Sequence, residues 1–131
     1  MEWIWNLFKR DKFNPFEELG LLSSNVSKAN ASIHLREPED TIFEAISHCD
    51  NAKSNISRLL SHELDQEVMV KLTRAGLSLA EIYTSLDQIS EDLASEFSSK
   101  DDAVFLLSKQ KHKLHEVSAI VETIGKESKI Y

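Results

Sequence analysis

The chain has 131 residues, 41% of them hydrophobic and 28% charged, and a formal net charge of −7, which suits one domain with a modest core and not two. Only three glycines and two prolines are available for turns, so a few long helices are favoured over a β fold or a disordered chain. The acidic balance argues against a nucleic-acid partner, which calls for a clustered basic face, and is better matched by cations or a basic protein surface.

Met1 to Phe13 is an aromatic and basic leader. Trp3, Ile4, Trp5, Leu7 and Phe8 precede Lys9, Arg10 and Lys12, and both tryptophans of the chain lie here. Trp3, Trp5, Phe8, Lys9 and Arg10 suit a membrane interface or a partner contact; the alternative is a segment that folds back to cap one end of a helical core. No apolar run approaches the roughly 20 residues of a membrane span, and the start lacks the features of a signal peptide. Cys49 is the only cysteine, so neither an internal disulfide nor a cysteine metal motif is available, and a reducing, cytoplasmic setting is expected.

Asn14-Pro15-Phe16-Glu17 reads as a helix start, with Asn14 as N-cap and Pro15 in the first turn. The first helix is expected to run to about Arg36, burying Phe16, Leu19, Leu22, Val26, Ala29 and Ile33. Its serines and asparagines are poor helix formers, so packing must hold it. Pro38, followed by Glu39 and Asp40, opens a second helix to about His62. Ile42, Ile46, Cys49, Ile56 and Leu60 form its seam, and Phe43, Ala45, Ala52 and Leu59 widen it. Lys53 falls on the seam, where its stem can be buried with the ammonium reaching out.

Asp65 is the expected N-cap of a third helix reaching Phe97, the longest element. Val68, Leu72, Ala75, Leu79, Ile82, Leu86, Ile89 and Leu93 recur at alternating steps of four and three along it. Gly76 in its interior implies a close helix approach or a slight bend. Ser99 with Asp102 begins a fourth helix, from about Asp101 to Ile124, with Gly125 as C-cap. Ala103, Leu107, Leu114, Val117, Val121 and Ile124 face inward, and Gln110 takes a seam position in a polar turn that meets a cavity or an acidic neighbour. The expected architecture is therefore an all-α, antiparallel up-down four-helix bundle with one long central helix: leader 1–13, bundle 14–125 and tail 126–131.

No glycine-rich phosphate loop, Gly-x-Ser-x-Gly or His-Glu-x-x-His motif is present, so enzyme is the weaker expectation. A histidine phosphotransfer bundle with His48 or His112 as the reactive residue is a minor alternative. A metal-independent adaptor or oligomeric scaffold is the broader one. The sharper idea is a metal site. Asp87 and Glu91 stand one turn apart, and Glu44, His48 and Asp50 on the second helix are the opposite candidates for a divalent or trivalent metal ion.

Leu7-Phe8-Lys9-Arg10, Phe13 and Phe16-Glu17-Glu18-Leu19 resemble the opening of the PhoU-like proteins found alongside phosphate-permease-type transporters. His48-Cys49-Asp50 is similar in position to that family's Glu-Ala-Asp segment. Leu64-Asp65-Gln66-Glu67 leading into Leu86-Asp87-Gln88-Ile89-Ser90-Glu91 resembles its third helix, with an acid-x-x-x-acid motif beside a Leu/Ile seam. The resemblance implies a regulator of phosphate or ion transport that binds metal through such acids and meets a membrane transporter or its signalling partner at the inner face of the membrane. One repeat plus an extra helix, where the family has two repeats, implies a homodimer.

Overall fold

A computed structural model of the chain describes residues 13–95 and 99–127. Among the described residues four helices follow one another: α1 (Pro15–Ala31), α2 (Pro38–Leu60), α3 (Gln66–Ala94) and α4 (Lys100–Glu127). Each packs on its neighbours in the chain, and α1 closes the ring against α4.

The starts are set by the expected capping chemistry. The Asn14 side chain accepts from the backbone amides of Phe16 and Glu17 at 3.0 and 3.2 Å. Asp65 accepts from Glu67 at 3.1 Å, and Ser99 accepts from Asp102 at 3.4 Å. Each satisfies an amide that has no partner inside its helix.

Three helix ends differ from the sequence expectation, the third helix stopping at Ala94 and not at Phe97, with Ser95 extended at φ −85° and ψ 139°. α1 stops at Ala31, not near Arg36, because Glu37 precedes a proline and is pushed out of the helical region, at φ −132° and ψ 66°. Residues 32–37 therefore turn the chain back, though Ile33 within them is still buried. At the other extreme, Gly125 does not cap α4. It has no positive φ, the helix runs through it to Glu127, and its missing side chain leaves room for Leu19, whose Cδ2 lies 3.7 Å from where a Cβ would stand. Gly76 marks a close approach in the same way: a Cβ there would come within 3.3 Å of Ile56 Cγ2.

Residues that meet across the helix pairs descend on one helix as they ascend on the other, as antiparallel neighbours do. Glu18 meets Arg58 and Asn25 meets Asn55; Ile56 faces Gly76 and Lys53 faces Tyr83; Leu19 faces Gly125 and Asn30 meets Lys111. Inside, the α3 seam from Val68 to Ile89 is buried at each of its seven apolar positions. Ala45, Cys49, Ala52 and Leu59 of α2 meet it in the same core as Leu107, Leu114, Val117 and Val121 of α4. Phe43 is a correction. It stands one residue past buried Ile42, about 100° further around the helix, and is 70% exposed rather than part of the seam; Phe16, expected on the buried stripe of α1, is likewise exposed, at 45%.

Candidate functional site

The candidate metal ligands occupy positions beside the seam, and helical geometry spreads them. Asp87 and Glu91 leave one face of α3 and are both exposed. Glu44 and His48 share a face of α2, but Asp50 is two residues beyond His48 and thus about 200° around the helix. Glu44 and Asp50 are exposed, while His48 is half-buried with its Nδ1 lacking a hydrogen-bond partner. Among the described residues no three His, Cys, Asp or Glu side chains form a group that could hold a metal ion. The fold thus does not gather the five residues into one centre, because the inward positions between them are filled by Cys49, Ile82 and Leu86.

Of the leader, Trp3, Trp5, Phe8, Lys9 and Arg10 lie outside the described residues. Phe13 is described, half-buried against the core, and its ring stacks on His62 with centroids 3.7 Å apart and planes 11° apart. The His62 Nδ1 is 2.9 Å from the Arg58 carbonyl oxygen, a bond that fixes the ring against the end of α2.

Polar groups that periodicity did not single out bind α1 to its neighbours. Glu18 is buried and accepts from the guanidinium of Arg58. About two turns further along α1, the amides of Asn25 and Asn55 hydrogen-bond at 2.7 Å. On the other side, Lys111 Nζ donates to the carbonyl oxygens of Asn30 at 2.8 Å and Ile33 at 3.2 Å, and Asn30 donates back to the Lys111 carbonyl at 3.3 Å. Carbonyls at a helix C-terminus have no partner within the helix and carry partial negative charge, so an ammonium is well matched to them. The polar turn of α4 thus meets the end of α1. Beside it, Gln110 is buried with its Oε1 unpaired.

Of the phosphotransfer candidates, His112 is exposed, its Nε2 3.1 Å from Glu116. Cys49 lies in the core, and burial pushes its thiol up to about 12 from 9.0, with Lys53 pulling weakly the other way. Lys53 itself reaches outward to lie 4.4 Å over the Tyr83 ring. The folded chain holds the thiol protonated where the unfolded chain ionises. Stability from this source is therefore intact below pH 9 and is lost as pH rises from 9 toward 12. At pH 10 the loss is on the order of 1 kcal/mol, read as a lower urea midpoint than at pH 8. Cys49→Ala should remove that share of the pH dependence.

The surface carries large apolar side chains at the end where α2 and α4 begin. Phe43 and Phe105 are 70% and 62% exposed, with Leu35 and Leu106 also in the open. An ion pair between Lys100 and Glu39, at 3.8 Å, joins the two helix starts. Exposed acids lie near them in the sequence, Glu37, Glu39, Asp40 and Glu44 about the start of α2 and Asp101 and Asp102 in the first turn of α4, and Lys109 Nζ lies 5.0 Å over the Phe105 ring. Among the described residues no helix is long and apolar enough to cross a membrane.

Compared with protein-family models, with curated proteins and with solved structures, the chain matches none of them.

Proposed function

We propose that this chain is an accessory binding protein that acts by recognition, docking the end of the bundle where α2 and α4 begin onto a partner surface that is apolar at its centre and basic at its rim. The observation that supports this reading is the exposure of Phe43 and Phe105 among the acids of the two helix starts. Exposed aromatic side chains rimmed by charge are what interfaces use as anchors, and a net charge of −7 favours a basic counterpart. In its narrower, PhoU-like form the partner is a phosphate or ion transporter, or its signalling partner, at the cytoplasmic face of the membrane, with metal held by Asp87 and Glu91.

The test is quantitative affinity capture from cells of the source organism with the full chain and with Phe43→Ser/Phe105→Ser. A basic protein captured by the first and lost with the second, at unchanged helicity, supports docking. Equal capture by both overturns it. Equilibrium dialysis against Zn²⁺ reads the metal form separately: binding lost in Asp87→Ala/Glu91→Ala is expected, and binding that is absent or unchanged removes it.

A further inference from the structure

The outward face of α3 has a pattern that its seam does not explain. Val70, Arg74, Leu77, Glu81, Thr84, Gln88 and Glu91 repeat at alternating steps of four and three, and all seven are exposed. The strip is a second seam on the same helix, about 33 Å long at 1.5 Å per residue, left uncovered by α2 and α4. Val70 and Leu77 are its apolar members, 54% and 65% exposed. Leu77 forms one wall of a shallow, open hollow of about 530 Å³, whose other walls are Ala80, Glu81, Thr84 and Ser85 of α3 and Lys113 of α4.

Charge is divided along the same helix. Its first half carries Lys71 and Arg74 against a single acid, Glu67; its second half carries Glu81, Asp87, Glu91 and Asp92 and no cation. Neither the Arg74 nor the Glu81 side chain takes part in a hydrogen bond or ion pair among the described residues. A parallel neighbour of the same sequence would set like charges together. An antiparallel neighbour sets the basic half against the acidic half, and a two-fold axis makes both ends equivalent.

We propose that α3 is the contact face of a homodimer in which two copies pack antiparallel about a two-fold axis beside Leu77 and Glu81. Leu77 of each copy enters the hollow at Ala80 and Thr84 of the other, and Arg74 of each pairs with Glu81 of the other. With few apolar residues at its centre the contact lies at the small end of specific interfaces, so the dimer forms at micromolar concentration and above. It uses a different face from the Phe43 and Phe105 end and does not depend on it.

Sedimentation equilibrium of the full chain from about 1 to 100 μM tests this, a range suited to small interfaces. Wild type should associate to a dimer across it, and Leu77→Asp should stay monomeric with unchanged helicity. Arg74→Glu and Glu81→Arg should each weaken association at least tenfold, and Arg74→Glu/Glu81→Arg should restore it. Phe43→Ser/Phe105→Ser should dimerise as wild type does. A monomeric wild type at the highest concentration overturns the proposal, as does a dimer indifferent to Leu77→Asp. If the single charge reversals weaken association and the double reversal does not restore it, the antiparallel pairing is wrong.

Discussion

Replacing Leu79 with alanine should cost about 3–5 kcal/mol, while the same change at Leu77, two residues away, should shift the stability of the monomer by no more than about 0.5 kcal/mol. The two leucines lie on one helix and differ by about 200° in direction. Leu79 is wholly buried in the centre of the bundle, where shortening removes transfer energy and leaves a cavity that the surrounding helices cannot close. Leu77 faces water. For a domain with about 5–15 kcal/mol in total, the first change removes a large part of the stability. Urea denaturation at submicromolar concentration, below the range proposed for dimerisation, separates the two. Equal costs would mean that the α3 seam has been placed on the wrong face.

The second large effect is expected at Lys111. Lys111→Met keeps much of the stem and removes the ammonium that Asn30 and Ile33 share. Hydrogen bonds from a charged donor contribute about 1.5–3 kcal/mol. The loss should be about 2 kcal/mol, or roughly 6–12 °C in melting temperature for a chain of this size. Lys113→Met, one turn-position away and not bound to α1, is the control and should have little effect. Amide exchange should localise the damage to the last turn of α1. An unchanged melting temperature in Lys111→Met would show that these carbonyls are satisfied without it.

The bundle was legible in the sequence because its information is periodic. Four stripes of apolar residues, the caps at Asn14, Asp65 and Ser99, and Pro38 as a helix start describe each helix by itself, and the observed burial follows them closely. Periodicity resolves direction around one helix, not the identity of the neighbour found there. It places Gln110 and Lys111 in a polar turn of α4, but says nothing of the α1 carbonyls that receive Lys111, 81 residues away from Asn30. Nor does it single out Glu18, which is the partner of Arg58. Phe43 shows the opposite error, since hydrophobicity alone assigned it to a face that angular position excludes. The candidate metal residues were chosen by type and proximity along the chain, and the spacing of His48 and Asp50 already places them on opposed sides of α2.

The ring of helices closes through α1 and α4, the first and last of the four described helices in chain order. Every other packed pair is adjacent in the chain and can form as soon as its second member is synthesised, whereas the end of α1 must wait for residue 111 to leave the ribosome. Until then a serine- and asparagine-rich helix is held on one side only, by α2 through Arg58, Asn55 and their shared apolar contacts, and its side toward α4 stays open to solvent. Non-local contacts of this kind slow folding and lengthen the exposure of the nascent chain. Stalled chains ending before Lys111 should therefore leave α1 more open to protease than chains that include it. Equal protection in the two would place the fixing of α1 earlier, in its pairing with α2.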